Sequence, residues 1–133
     1  MDQGPTRAPA RPRILLVDDD TRTSRLLAHM LREDGFDVEF AKDGASAISR
    51  LTRSPMPDIL VTDLHMPDVD GISVTQFARS KEPLLPVVIV TGHPNMAIGM
   101  GATLIPLPVV ITKPIEYAKL AEELRKVSSG MAR

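Results

Sequence analysis

Five residues of this 133-residue sequence, Asp18, Asp19, Asp63, Thr91 and Lys113, stand where they can do chemistry together. Asp18, Asp19 and Asp20 follow the apolar run Ile14-Leu15-Leu16-Val17, and Asp63 follows Ile59 to Thr62. Thr91 ends the run Val87 to Val90, and Lys113-Pro114 lies just beyond Val109 to Ile111. Carboxylates brought together raise one another's pKa unless a cation joins them. A hard divalent ion is therefore implied, and Mg2+, which takes one or two carboxylates, water and phosphate oxygens, suits a shallow, wet site. An Asp kept ionised beside it can accept a phosphoryl group as an aspartyl phosphate. The metal and the Lys113 ammonium would share the charge that builds on the transferring group. The Thr91 hydroxyl can then bond a phosphoryl oxygen, and its movement changes the packing beside it, which makes a switch. Singly, each Asp suits a turn or helix cap. Capping, however, does not require the order acid, acid, hydroxyl, cation at successive strand ends.

Those residues can converge only if the elements before them align. The runs that precede Asp18, Asp63, Thr91 and Lys113 show no polar alternation, as expected for strands covered on both faces. Val38 to Ala41 adds a second, short strand. Between the strands lie segments of helical period: Thr21 to Asp34, with Leu27, Met30 and Leu31 on one face; Ala45 to Leu51; Ile72 to Ala78; and a last helix with Leu120, Ala121, Leu124 and Val127. Asp20 or Thr21 can cap the first helix and Gly35 end it, and Pro114 suits the first turn of the last. Met96 to about Thr103 reads as a short fourth helix weakened by Gly99 and Gly101. Five strands alternating with five helices imply a doubly wound parallel sheet with right-handed crossovers. Ligands then bind beyond the carboxyl ends of the strands, where the strand order reverses.

Composition narrows the field further. With 43% apolar and 25% charged residues the chain reads as one ordinary globular domain over residues 13–127. Residues 1–12, with Pro5, Pro9 and Pro12, read as a disordered leader without a signal sequence, and residues 128–133 as a flexible tail. Sixteen Lys+Arg against 17 Asp+Glu give no field to attract nucleic acid, and one Tyr, three Phe and no Trp leave little to stack on bases. Zero cysteines exclude thiol catalysis, Cys-ligated zinc and disulfides, and fit a reducing cytoplasm. The charge-free stretch Pro94 to Thr112 fails as a membrane span because Gly99, Gly101, Pro106 and Pro108 would break it.

The same residues carry a resemblance. Ile14 to Asp20, Leu31 to Val38 with its Gly35-Phe36, Asp43-Gly44, Val61 to Gly71, Pro86 to Gly92 and Lys113-Pro114, spanning Arg13 to about Val127, resemble the receiver domains of bacterial two-component response regulators. The resemblance implies a flavodoxin-like (βα)5 fold with strand order 2-1-3-4-5. It also implies Asp63 as phosphoacceptor, Mg2+ held by Asp18, Asp19, Asp63 and the His65 backbone carbonyl, Thr91 as switch hydroxyl and Lys113 as phosphoryl ligand. The phosphoryl donor would be a sensor histidine kinase or a histidine phosphotransfer protein. The output would pass to an effector, and the face from the fourth to the fifth helix is the one similar proteins use for partners or a homodimer.

The sequence departs from that pattern in two places. Val110 stands where receivers usually carry Tyr or Phe, so switching is expected to work through backbone and helix movement. Ile105-Pro106-Leu107-Pro108 replaces the usual Ala-Gly-Ala near the end of the fourth helix, which is expected to be short or mobile, unless the prolines instead rigidify a longer loop. His65 and His93 lie two residues beyond Asp63 and Thr91, positions that in similar proteins flank the phosphoryl pocket and tune hydrolysis, so the resemblance implies the same role for their side chains here. As a zinc site they lack a further arranged ligand and read as solvated loop residues. His29 is expected to be partly exposed, Met30, Met96 and Met100 to fill core, and Arg22, Arg25, Arg32, Arg50 and Arg53 to form solvated helix faces. The resulting reading is a phosphorylation-controlled interaction module that catalyses only its own phosphorylation and dephosphorylation. Two alternatives are a receiver-like scaffold that takes no phosphate and an Asp-nucleophile Mg2+-dependent phosphatase. The phosphatase motif fails at Arg22, where Thr or Val is required four residues after the nucleophile.

Overall fold

A computed structural model of the chain describes residues 11–131. The leader expected over 1–12 lies, except for its last two residues, outside the described residues, as do the last two residues of the tail. The elements run β1 (Arg13–Val17), α1 (Thr21–Glu33), β2 (Asp37–Ala41), α2 (Gly44–Leu51), β3 (Ile59–Asp63), α3 (Gly71–Lys81), β4 (Val87–Thr91), α4 (Pro94–Met100), β5 (Val109–Thr112) and α5 (Tyr117–Met131). All strand pairings are parallel, and the order is β2-β1-β3-β4-β5. This is the doubly wound sheet expected from the alternation of apolar runs and helical segments, in the flavodoxin-like strand order that the resemblance implies.

Every residue of β3 and β4 is buried, as suits central strands with helices on both faces. Alternate residues feed two cores. Ile14, Leu16, Val61 and Val88 pack with Leu31 of α1 and Leu120 and Leu124 of α5. Leu15, Val17, Leu60 and Ile89 pack on the other face with Leu51 of α2, Val74 of α3 and Ala97 of α4. The helices between the early strands begin alike: Asp20, Asp43 and Asp70 each cap a helix by accepting the backbone N–H of Thr23, Ser46 and Ser73 respectively. An N-cap of this kind satisfies one orphan donor and contributes roughly 1 kcal/mol. These caps fix where α1, α2 and α3 leave the strand ends.

Several local expectations are corrected. Pro114 precedes α5 by three residues and is not in its first turn: the helix opens at Tyr117, with the Lys119 and Leu120 N–H groups donating to the Glu116 carbonyl. The last helix continues to Met131, four residues past its expected end, with the Ser128 and Ser129 hydroxyls bonded back to the carbonyls of Leu124 and Arg125. Met96 and Met100 are exposed, since seven-residue α4 buries only Ala97. Arg50 is nearly buried: its guanidinium chelates Glu39 at 2.8–3.0 Å and bonds the carbonyls of Arg53 and Pro55, tying α2 to β2. The charge-free stretch Pro94 to Thr112 divides into α4, a turn and β5, and no described helix is long and apolar enough to cross a membrane.

Candidate functional site

The strand order reverses between β1 and β3, so the residues that end these strands share one edge of the sheet. Val17 pairs with Thr62, Asp63 with Val90 and Thr91 with Thr112, which brings the carboxyl ends of β1, β3, β4 and β5 level. Asp18, Asp19 and Asp63 offer carboxylate oxygens that all lie within 4.8 Å of one another. Asp18 and Asp63 are buried and Asp19 is exposed, so the cluster opens to water on one side only. The Lys113 ammonium donates to Asp63 Oδ2 at 3.0 Å, across 50 residues of sequence. The same residue's backbone N–H donates to the Thr91 carbonyl at 2.8 Å, which locks the end of β5 to the end of β4. Asp18, Asp19, Asp63, Thr91 and Lys113 therefore stand at one edge, as their positions after the strands imply.

The electrostatics follow from this packing. Burial pushes the Asp18 carboxyl above its usual value, and the Asp63 and Asp19 charges add to the effect, while the Asp20 N–H at 2.9 Å and Lys113 oppose it. For Lys113, burial alone would depress the ammonium. Its bond to Asp63 and the attraction of all three carboxylates outweigh that, so it is held above its ordinary value and stays charged. One ammonium cannot neutralise three carboxylates, and an oxygen-only donor set with one wet side is what a hard divalent cation such as Mg2+ accepts. The residues present thus fit such an ion.

Thr91 is almost wholly buried, and its Oγ1 accepts the His93 N–H at 2.9 Å. A hydroxyl that accepts through a lone pair keeps its proton to donate. Val110 is half-buried against the core shared by α2, α3 and α4, and no aromatic ring occupies its place. His65 and His93 are exposed, and their rings meet edge to face with centres 5.3 Å apart.

Gly44 and Gly71 entered the sequence reading only as part of the resemblance, and their positioning role escaped it. A Cβ on Gly71 would collide with the backbone oxygen of Asp63, and the Gly71 N–H donates to the Leu64 carbonyl at 2.8 Å. The first turn of α3 is thereby pressed against the strand end that carries Asp63. A Cβ on Gly44 would stand 2.5 Å from the Val69 carbonyl oxygen, so α2 abuts the loop between β3 and α3 with no room for a side chain. The available signal was a glycine in the helical first turn directly after a capping Asp, a place where it costs stability unless space demands it.

The sequence profile described as the response regulator receiver domain matches residues 14–125. The response regulator receiver protein CpdR of Brucella abortus is 33% identical over 115 residues, which cover 86% of this chain and 95% of that protein. The transcriptional regulatory protein TrcR of Mycobacterium tuberculosis is 32% identical over 120 residues, or 90% of this chain, and the chain spans about half of that protein (46%). In fold, the Vibrio cholerae chemotaxis protein CheY4 superposes with a TM-score of 0.80 at 24% identity, covering 89% of this chain and 99% of that one.

Proposed function

The chain belongs to the response regulator receiver family, and from that premise we propose that it accepts a phosphoryl group on Asp63 from a phosphohistidine of a sensor histidine kinase or histidine phosphotransfer protein in the cytoplasm. Asp18, Asp19, Asp63 and the His65 backbone carbonyl would hold Mg2+, which when bound supplies positive charge to the oxygens of the transferring group. The observation that supports this most directly is the Asp63 carboxylate itself: it is buried, within 4.8 Å of two further carboxylates and hydrogen-bonded to an ammonium.

A carboxylate oxygen of Asp63 attacks phosphorus, the phosphorus–nitrogen bond breaks, and the donor imidazole leaves with the bonding pair and takes up a proton. Lys113, charged and poised 3.0 Å from Oδ2, follows the negative charge onto a phosphoryl oxygen. Thr91 turns its free O–H proton toward another phosphoryl oxygen, which draws the end of β4 inward. Val110 offers no ring to swing into vacated space, so the movement passes to the backbone at the start of α4. The surface it remodels is that of α4, β5 and α5, where Met96, Ile98, Met100, Ile105 and Leu107 are exposed for an effector or a second copy of the chain. The exposed side chains of His65 and His93, two residues beyond Asp63 and Thr91, set how readily water reaches the phosphoryl group. The protein in this reading turns over no diffusing substrate and catalyses only its own phosphorylation and dephosphorylation.

Beryllofluoride, which mimics a phosphoryl group, tests the proposal. Amide NMR shifts around Asp63, Thr91 and Lys113 are expected on addition of beryllofluoride with Mg2+, and Asp63→Asn should show none. A wild-type protein that fails to respond with both present overturns it.

A further inference from the structure

Strand β2 stands at one edge of the sheet, paired with β1 on its inner side. The Asp37 N–H donates to the Pro12 carbonyl and the Ala41 carbonyl accepts from the Asp18 N–H. Residues 37, 39 and 41 therefore turn their backbone groups to β1, and Val38 and Phe40 turn theirs outward. Part of that outer edge is closed: the Arg32 guanidinium donates to the Val38 carbonyl at 2.7 Å, and that of Arg11 to the Phe36 carbonyl at 3.1 Å. The outward N–H and carbonyl of Phe40 take no partner among the described residues. Beside them runs a groove of about 340 Å3, between β2 and the side of α2 and its following turn that carries Ser46, Arg50 and Arg53, with Lys42 also lining it. Its charge is lopsided. Glu39 is chelated by Arg50, and its carboxyl is held below the usual range by that bond first and then by the charges of Arg50, Arg53 and Arg13. Lys42 and Arg53 are exposed and form no ion pair among the described residues. We propose that β2 takes up an extended acidic segment of a partner protein as a sixth strand, whose main chain bonds Phe40 and whose carboxylates lie over Lys42 and Arg53.

Strand addition of this kind draws affinity from main-chain bonds and specificity from alternate side chains. Leu15 pairs with Glu39 and Leu16 with Phe40, so the two faces of an added strand meet different surroundings. Cations line the α2 face, and the half-buried Phe40 stands on the other. Acidic residues alternating with apolar ones match that edge. A second copy of this chain does not, because pairing two β2 edges would bring two cationic grooves together. Nucleic acid has no main chain that could extend the sheet. The proposal does not rest on phosphorylation of Asp63, since no residue lining the groove belongs to the phosphoacceptor site.

The test is amide NMR of the whole chain titrated with the hexapeptide acetyl-Glu-Val-Glu-Val-Glu-Val-amide. Saturable shifts are expected at Phe40, Ala41 and Lys42, and the counterpart with lysine in place of glutamate should cause none. Lys42→Glu/Arg53→Glu, at two exposed positions, should weaken binding by about tenfold, the effect of two surface ion pairs lost and reversed. Peptides N-methylated at alternate residues separate main-chain pairing from charge alone. One set blocks the N–H groups that face β2 and should abolish binding, whereas the other blocks those that face away and should leave it nearly intact. The proposal is overturned if the glutamate peptide causes no saturable shift at Phe40, if both N-methylated sets act alike, or if the lysine peptide binds as well. It is equally overturned if hexathymidylate shifts the same amides as strongly, or if they shift with protein concentration when no peptide is present. A failed beryllofluoride response with intact peptide binding would count against the phosphorylation reading alone.

Discussion

Asp18 carries opposite consequences for stability and for function. Its folded pKa is raised, by burial first, above the unfolded value of 3.8, so the ionised form is less favourable in the folded chain. That penalty is absent below the unfolded value and grows as pH rises through the folded one. Asp18→Asn is therefore expected to stabilise the metal-free protein by about 1 kcal/mol or less, the open side of the cluster being screened by water. Thermal unfolding in chelator at pH 7 should show a midpoint a few degrees higher, with Mg2+ binding weakened. An unchanged or lower midpoint would reject this account. Ser24 offers a second single-residue test. Its hydroxyl is fully buried and without a partner among the described residues, so Ser24→Ala should gain about 1 kcal/mol in a urea titration by removing an unsatisfied group. Position after an apolar run made Asp18 legible in the sequence. The stranded hydroxyl was not, because a helical serine looks the same whether it faces water or core.

Elements differ in how firmly they are held. The first turn of α3 touches the Asp63 backbone at Gly71 with no spare volume, so Gly71→Ala must push the strand end or the helix aside. Overpacking of this kind costs about 1–3 kcal/mol. Urea midpoints should fall accordingly, and the beryllofluoride shifts at Asp63 should shrink even where the variant is folded. Helix α4 stands at the other extreme, with seven residues, one buried side chain, an internal Gly99 and no side-chain cap. The proline segment after it is anchored, since Arg79 of α3 donates to the carbonyls of Leu85 and Pro106. Amides over Met96 to Gly101 are thus expected to exchange far faster than those of Leu120 to Val127. Equal protection would show that α4 is as rigid as α5. The weakness of this helix was visible in its glycines, but the bond from Arg79 that steadies its neighbour was not.

For the molecule as a whole, stability should have a maximum in mild acid when no metal is bound. Arg50 holds the Glu39 carboxyl below its usual value, and the capping bonds to Thr23 and Ser46 do the same for Asp20 and Asp43. Depressed folded values give stability that is present above the unfolded range of 3.8 to 4.5 and is lost as pH falls through the folded ones. Asp18 contributes the opposite slope above that range, and Lys113, held above 10.5, matters only in strong alkali. Urea titrations between about pH 3 and 8 should trace a dome, and saturating Mg2+ should lift its neutral side. A curve rising steadily to pH 8 without metal would contradict the assigned role of Asp18.

Strand and helix identities were determined by the sequence alone, because continuous apolar runs and the 3.6-residue period are local signals that burial on a two-faced sheet requires. The positions of Asp18, Asp63, Thr91 and Lys113 at strand ends came with them. Tertiary structure decided what the sequence had left open among the acids: Asp20, not Thr21, caps α1, and Asp43 and Asp70 turn to helix N-termini in the same way, while Asp18, Asp19 and Asp63 converge as the resemblance implied. It also decided that Lys113 reaches Asp63, that His65 meets His93, and that Met96 and Met100 face outward. Such pairings depend on strand order and register, which place residues 50 apart within 3.0 Å, and no stretch of chain short enough to read by pattern contains that information.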